Sequence, residues 1–327
     1  MAERWSPDHL RLHRLLRRRP ALLPEGATLL LAVSGGQDSM ALLALLQDLR
    51  RLHGWTLRLW HGDHGLRPES AQQAAELVAW AASQGLPLVL DTWQRPRPDE
   101  AAARTWRYGC LAEHATALGA SHVLTGHTAS DRAETLLLQL ARGSHRRGLA
   151  SLRASRPLAA ALQLVRPLLG FSRDDTARLC QQLALPVWRD ASNDSPTYSR
   201  NRIRAEVLPV LEALHPGAAR RIAALGERLG EEEQALAELT ELAAQALGWG
   251  EGLERRALMK LAPANRRRLL HHWLEQRGST GLGAEPLETL LTRLEPQRGP
   301  GRMDLAAGLT VQWDRQRLWL TERRPSP

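Results

Sequence analysis

The sequence predicts an α/β protein: a parallel five-stranded sheet with helices on both faces, then a mainly helical second domain that ends in short β-strands. Three observations lead there. The apolar run Leu29–Val33 stops at Ser34-Gly35-Gly36-Gln37-Asp38-Ser39, and a helix-like apolar pattern, Met40–Leu46, starts at once. That is the pattern of a buried strand, a tight glycine turn and a helix whose N-terminus faces the turn. Strand-like runs then alternate with helical patterns up to residue 183, as crossover-connected parallel strands require. From Arg200 onward the strands give way to helices and return only as short segments near the C-terminus.

In chain order, Pro7–Arg19 reads as an amphipathic helix with leucines at 10, 12, 15 and 16 and a basic outer face. The first strand and glycine turn follow. Trp55–Trp60 alternates as a second strand that ends at His61-Gly62-Asp63-His64, and Glu69 opens a helix to Gln84. Leu86–Leu90 is a third strand, and Asp99 caps a helix through Leu118. His122–Thr125 is a fourth strand, ending at Gly126-His127, before a helix over Ala129–Ala141. Leu162–Val165 is the fifth strand, with the Ser172–Leu183 helix behind it. Helical segments are expected at 200–213, 217–247, 254–261, 263–277 and 284–294, then strands at Arg302–Leu305, Leu309–Trp313 and Arg317–Leu320. Neither an internal repeat nor a low-complexity linker is present, so the chain divides by a change of topology near Pro216, into 1–215 and 216–327.

Composition narrows the function classes. With 327 residues, 43% hydrophobic and 24% charged, the chain has ample material for two cores. A net charge of +9 and a pI near 10.9 suit a polyanionic partner, nucleic acid above all. An arginine-rich genome gives the same balance, so charge alone leaves both readings open. No apolar run approaches the roughly 20 residues that span a membrane, and the N-terminus lacks a signal-peptide core. Cys110 and Cys180 make neither a disulfide framework nor a zinc cluster, and a cytoplasmic location is expected.

In open α/β sheets ligands bind beyond the C-terminal strand ends, which is where the glycine turn, the His61–Arg67 cluster and Gly126-His127 fall. The turn aims unpaired backbone N–H groups and the positive helix end at an anion, most often phosphate. Gly35 and Gly36 let the chain pass close to that anion, and Ser34 and Ser39 add hydroxyl donors. The usual nucleotide loop places a lysine there. Lys260 is the only lysine in this chain, far from the turn, and Asp38 stands in its place. A carboxylate beside phosphate calls for a divalent cation between them. The loop resembles the Ser-Gly-Gly-x-Asp-Ser loop of the PP-loop ATP pyrophosphatases, which implies ATP cleaved between its α and β phosphates. In Thr125–Thr135, Asp131 and Glu134 lie three apart on one helix face. With Asp38 they make a natural magnesium seat, although acids also suit a helix N-terminus for its own sake.

Taken together, these motifs resemble the tRNA(Ile)-lysidine synthases. The resemblance rests on Ser34–Ser39, His61-x-x-His64-x-Leu66-Arg67, Ala103-Arg104 with Arg107-Tyr108, and Gly126-His127 with Asp131 and Glu134-Thr135. It continues through Arg142-Gly143 with Gly148-Leu149, Arg166-Pro167-Leu168, Asp190-x-Ser192-Asn193 and Tyr198-x-Arg200-Asn201-x-Ile203-Arg204. It covers most of residues 29–210, and the helical C-terminal region resembles that family's first C-terminal domain more diffusely. The chain is expected to be a short form, without the second C-terminal domain of longer members. Three departures stand out: His61-Gly62-Asp63-His64 for His-Val-Asn-His, Ser130-Asp131-Arg132 for Asp-Asp-Gln, and Arg142-Gly-Ser-His145 for Arg-Gly-Ser-Gly.

The resemblance implies a two-step ligation. ATP and Mg2+ activate the C2 carbonyl oxygen of the wobble cytidine in a CAU anticodon. The ε-amine of free L-lysine then displaces AMP to give lysidine, which decodes AUA as isoleucine. Ser34, Gly35, Gly36, Gln37, Asp38, Ser39, His61, His64, Arg104, Gly126 and His127 would hold the nucleotide, and Asp38, Asp131 and Glu134 the metal. Asp38, Asp131, Glu134 and Arg200 are the catalytic candidates, any of the three carboxylates serving to orient the amine or take its proton. Arg200, Asn201 and Arg204 share one side of a helix and are read as contacting the α-phosphate, the lysine carboxylate or tRNA. Arg107, Arg142, Arg146 and Arg147, with Arg153 and Arg156, are candidates for the tRNA backbone, and Arg266-Arg267-Arg268 suits either tRNA or solvent. A homodimer stands as one option for assembly. The nearest rival is a PP-loop tRNA thiolase using the same adenylation; Cys110 and Cys180, inside amphipathic helices without a Cys-x-x-Cys pair, argue against it. A synthetase of small molecules fits the basic charge poorly, and a non-enzymatic RNA-binding protein would show no tRNA-dependent exchange of pyrophosphate into ATP.

Overall fold

A computed structural model of the chain describes residues 5–65, 69–96, 99–144, 146–150, 152–188, 199–246, 252–279, 282–305 and 308–322. Leu66, Arg67, His145, Asp190, Ser192, Asn193 and Tyr198, quoted above, lie outside these residues. The chain forms two compact units, Met1–Glu231 and Glu232–Pro327. The sequence places a boundary at 215/216, ahead of the long helix α10 (Ala218–Ala246); the division between compact units falls inside that helix.

The first unit is built on a six-stranded sheet. In chain order its strands are β1 (Thr28–Ala32), β2 (Thr56–Asp63), β3 (Leu88–Thr92), β4 (His122–Thr125), β5 (Ser155–Ala159) and β6 (Leu162–Val165). The spatial order is β3-β2-β1-β4-β6-β5, parallel throughout except that β5 runs antiparallel to β6. The five expected parallel strands are all present, and the edge strand β5 is the addition. Pro157 interrupts the apolar alternation of that segment, and the strand is bulged between Pro157 and Ala159, as an edge position permits. β1 lies between β2 and β4, so Leu29, Leu30 and Leu31 are fully buried, which is why this segment reads as an unbroken apolar run. β2 continues past Trp60 through Asp63 because its backbone pairs with Leu88–Thr92.

The crossover helices are α2 (Gln37–His53), α3 (Ser70–Ser83), α4 (Glu100–Ala117), α5 (Ala129–Ala141) and α7 (Arg173–Gln182), with α1 (Pro7–Arg18) packed on α2. Asp99 caps α4 by accepting from Ala101 N at 3.0 Å, as its position predicts. Strand order runs outward in opposite directions from β1 and β4, so their C-terminal ends flank the crevice where open α/β sheets bind ligands. The short α6 (Arg146–Leu149) follows α5. Beyond α7 come α8 (Ser199–Arg202), a π-type turn over Ile203–Val207 and α9 (Leu208–Leu214). Pro209 has no N–H to continue the α-helical ladder, and Leu208 N donates five residues back to Ile203 O.

The second unit packs α11 (Arg255–Lys260), α12 (Pro263–Gln276) and α13 (Ala284–Arg293) with an antiparallel sheet around fully buried Trp273. That sheet has the order β7 (Leu253–Glu254), β10 (Arg317–Glu322), β9 (Leu309–Trp313), β8 (Gly301–Asp304). Arg255, 3% exposed, donates to the carbonyls of Leu294, Glu295, Arg298 and Asp314, so it ties the end of α13 to the β9–β10 turn.

Candidate active site

The turn between β1 and α2 is held open by its own polar groups. Gly36 N donates to Ser34 Oγ at 3.3 Å, Ser34 N to Ser39 Oγ at 3.2 Å, and Ser39 Oγ to Gly36 O at 2.8 Å. Gly35 sits at φ +81°, a left-handed conformation that disfavours side chains, and a Cβ there would stand 3.2 Å from the Trp188 ring. Trp188 N donates to Gly35 O at 3.0 Å, and its indole N–H is anchored on Glu76 at 2.8 Å. Gly126, at the end of β4, has a different reason to be glycine. A Cβ would lie 2.8 Å from the Asp38 carbonyl carbon and the Ser39 nitrogen. The β4 loop and the first turn of α2 are therefore in direct backbone contact.

Asp38 points from that first turn toward α7. It accepts from Thr176 Oγ1 at 2.5 Å, and its other oxygen meets Arg173 Nη1 at 3.8 Å. Burial pushes its carboxyl above the ordinary carboxylate value; Arg173 opposes this and the nearby charge of Asp131 adds to it. Gln37 reaches the same turn of α7, donating to Arg173 O and Thr176 Oγ1. Arg173 and Thr176 carry no local motif. The signal available for them is the capping box of α7, in which Ser172 and Asp175 exchange bonds and so fix which residues of the first turn face α2.

The second half of the site follows β4. Asp131 closes a capping box, accepting from Thr128 N at 2.7 Å and Thr128 Oγ1 at 2.9 Å. Its remaining oxygen meets Arg200 Nη2 at 2.7 Å and Arg204 Nη2 at 3.5 Å. Glu134, whose side chain is 0% exposed, accepts from Arg200 Nε at 2.8 Å and from Arg204 Nε and Nη2 at 2.7 and 2.9 Å. Two acids one turn apart on α5 thus meet two arginines one turn apart on the α8 segment. Burial raises the Asp131 carboxyl, but Arg200, His127 and Thr128 outweigh it and hold it below the ordinary value. His127 is driven well below the usual histidine range, first by burial and then by Arg166, Arg200 and Arg107, with Asp131 opposing. It is neutral at pH 7, its Nδ1 within 2.8 Å of Thr125 Oγ1. His61 is lowered by burial too and donates from Nδ1 to Val33 O at 2.7 Å, which fixes its tautomer.

Two expectations are corrected by this geometry. Arg200 and Arg204 do present their forks on one side, but toward Asp131 and Glu134 rather than toward an open ligand pocket. Glu134 has both oxygens taken by guanidinium groups and does not fit a metal seat. Among the described residues no group of three His, Cys, Asp or Glu side chains stands together at metal-binding spacing. Magnesium commonly uses one or two carboxylates plus phosphate oxygens, a smaller demand that Asp38 can meet, whereas Asp131, like Glu134, has both oxygens engaged, by Thr128 and by the two arginines. Asp38 fits it best, since a cation would offset the burial that disfavours its charge.

The remaining candidates fall into place around this centre. His64 Nε2 accepts from Arg107 Nη2 at 3.1 Å and lies edge-on to Trp106. Arg104 stands over the Tyr108 ring. Arg142, Arg146 and Arg147 are exposed at the end of α5 and on α6. Asn201 is half-buried on α8, beside Arg200. Arg266, Arg267 and Arg268 are engaged within the second unit, on Leu261 O, Glu288 and Glu233. Two of the three sequence departures gain a cause. Arg132 is buried away from the turn, donating to Leu152 O at 3.1 Å and Glu227 at 3.2 Å, so its extra cation does not face the nucleotide site. Gly62 is required by Trp60, since a Cβ there would lie 2.3 Å from the indole. Asp63 turns its carboxylate back onto Gly65 N at 2.9 Å.

Comparison with known proteins adds the following. Residues 9–211 match the family model described as PP-loop domain, and residues 253–319 the one described as TilS substrate binding domain. A tRNA(Ile)-lysidine synthase of Parasynechococcus marenigrum is 54% identical over 327 residues, spanning 98% of this chain and 96% of the relative. One from Prochlorococcus marinus strain SARG is 43% identical over 97% of this chain and 96% of its own. Among solved structures, the U34-tRNA thiolase NcsA from Methanococcus maripaludis with its [4Fe-4S] cluster superposes with a TM-score of 0.58. It shares 16% identity over 68% of this chain and 78% of its own, a likeness of fold alone.

Proposed function

The chain belongs to the tRNA(Ile)-lysidine synthases, and on that footing we propose that it joins the ε-amine of free L-lysine to C2 of the wobble cytidine of tRNA(Ile) with a CAU anticodon. ATP is consumed to AMP and pyrophosphate. The observation that carries this reading is the meeting of the Asp38 glycine turn with the Asp131–Glu134–Arg200–Arg204 quartet at the adjacent ends of β1 and β4.

In the first step the cytidine O2 attacks the α-phosphorus and pyrophosphate leaves. The N–H groups and hydroxyls of Ser34–Ser39, at the positive end of α2, are placed to accept the departing negative charge. Asp38 would hold Mg2+, which when bound would supply charge neutralisation on the phosphate oxygens. His127, neutral and buried, offers a hydrogen bond without a charge that would trap the product. In the second step the lysine nitrogen bonds to C2, the C2–O2 bond breaks and AMP departs with that oxygen. The amine, with an ordinary pKa near ~10.4, gives up a proton on the way. One of the site's carboxylates orients the amine or receives that proton. Glu134, enclosed by two guanidinium groups, acts by fixing Arg200 and Arg204. Catalysis is assigned to residues 1–215 and tRNA binding to 216–327, the latter supported by the substrate-binding match over 253–319. No helix among the described residues is long and apolar enough to cross a membrane, and ATP, lysine and tRNA meet in the cytoplasm, where we place the enzyme.

The thiolase reading is disfavoured by the thiols. Cys180 is pushed up to about 11 by burial and Asp38, and burial also raises Cys110, so neither is poised as a sulfur-carrying thiolate. The test is incubation with ATP, labelled lysine and tRNA transcripts, followed by nucleoside analysis. Lysidine confined to the CAU isoleucine tRNA is expected; label-free tRNA, or thiolated uridine in its place, overturns the proposal.

A further inference from the structure

Beside the quartet lies a second concentration of charge that the two-step chemistry leaves unused. Tyr108 on α4 stands among four arginines. The guanidinium carbons of Arg104 and Arg156 lie 5.0 and 5.1 Å from its ring centre, Arg166 hydrogen-bonds its side chain, and Arg107 directly precedes it on α4. Arg156 comes from β5 and Arg166 from the C-terminal end of β6, so three elements build the cluster. Glu100 is the acid within electrostatic reach of Arg107. Arg166 is 3% exposed; its Nη1 donates to Arg153 O at 2.8 Å, but its Nε has no partner. A buried guanidinium N–H without an acceptor costs free energy unless a ligand supplies one. The charges of Arg107 and Arg166 reach His127, which places the cluster beside the reaction centre. From Arg166 it opens through half-buried Arg156 and Arg107 to exposed Arg104.

We propose that Arg104, Arg107, Arg156 and Arg166, gathered around Tyr108, form an oxyanion cup that grips a backbone phosphate of the tRNA next to the target cytidine. This rests on the tRNA reading above. The ATP phosphates are assigned to the Ser34–Ser39 turn, and Arg104, expected at the nucleotide, stands instead over Tyr108; charge decides between the two remaining oxyanions, the lysine carboxylate and an RNA phosphate. Free lysine carries a net positive charge near neutral pH, so four arginines repel it as a whole even while attracting its carboxylate. RNA brings only negative charge and gains from every arginine. The phenolic side chain of Tyr108 is held below its ordinary value because Arg104, Arg166 and Arg107 outweigh the effect of burial, a further sign of an uncompensated positive field. Planar guanidinium forks suit phosphate oxygens bidentately, and the fixed cup would set the register of the anticodon loop so that one base reaches the adenylation site.

The test uses the full chain with a synthetic anticodon stem-loop RNA and with the whole tRNA. Arg156→Ala, which removes a half-buried side chain without leaving a buried charge unpaired, should raise KM for tRNA about tenfold. KM for lysine and ATP should stay within about twofold. The slope of log affinity against log salt should flatten by about 0.7–0.9. Arg156→Lys, which keeps the charge but not the fork, should restore the salt slope and recover part of the loss. A stem-loop with an uncharged methylphosphonate next to the cytidine should bind wild type about tenfold more weakly and bind Arg156→Ala no worse than unmodified RNA does. A rise in KM for lysine with RNA binding unchanged would assign the cup to the amino-acid carboxylate and overturn the proposal, as would an unaltered salt slope. The binding measurements do not depend on turnover, so failure to form lysidine would strike the proposed reaction and leave the cup judged on its own.

Discussion

Arg204→Met probes the buried ionic quartet directly. The substitution keeps the aliphatic stem and removes two bonds to Glu134, at 2.7 and 2.9 Å, with the 3.5 Å approach to Asp131. The Glu134 side chain is 0% exposed, so its carboxylate loses these partners without gaining water. Breaking one side of a buried pair costs about 3–5 kcal/mol. Arg200 remains on Glu134, and the Arg204 side chain is itself 24% exposed, which places the expected loss nearer ~2–3 kcal/mol. In a unit the size of Met1–Glu231 that is a fall in Tm of roughly 5–10 °C by calorimetry. Glu134→Gln should weaken the same contacts, so the double variant should fall short of the sum of the singles by at least about 1 kcal/mol. If the two changes add within about 0.5 kcal/mol, the four side chains are not one coupled unit and the reasoning fails.

Asp38→Asn should lower pyrophosphate exchange at least about 100-fold while raising stability at pH 7. Its folded carboxyl titrates above the unfolded value, so the native state is favoured while the group is protonated and penalised once pH climbs past the folded pKa; the asparagine variant's advantage should vanish below about pH 4 in urea titrations. Asp175 has the opposite sign. Burial raises it, but Ser172 N–H, Arg178, Arg220 and Arg11 bring it down to about 2, so its stabilisation is complete above the ordinary value of 3.8 and is lost as pH falls from there toward 2. Asp175→Asn should remove about 2 kcal/mol at pH 7 and flatten the acid limb of the stability curve. Gly62→Ala should cost about 1–3 kcal/mol by overpacking against Trp60, and Trp60→Leu in the same chain should recover part of it; a lone Gly62→Ala as stable as wild type would remove the steric account of that position.

Much of the site is legible in the sequence because its determinants are local. The glycine turn, the strand before it and the acids of α5 each declare themselves within a dozen residues, since backbone conformation, helix periodicity and capping are short-range. What escapes is whatever depends on partners distant in sequence. Nothing near Asp131 or Glu134 announces that Arg200 and Arg204 will neutralise them, so in the sequence the carboxylate pair reads as a metal seat. Arg173 and Thr176 come to Asp38 through the packing of α7 on α2, and Trp188 to Gly35 through a loop contact. Arg132 was legible in principle: it follows Asp131 by about 100° around α5, so both cannot face the nucleotide. The edge strand β5 was hidden by Pro157, which only its pairing with β6 accommodates.

The missing side chain at residue 126 has a mechanical consequence. With no side chain between them, the end of β4 and the first turn of α2 pack backbone to backbone, so neither can be displaced toward the other without the other giving way. The turn that faces the phosphate site and the loop that leads into α5 are thereby held in a single register.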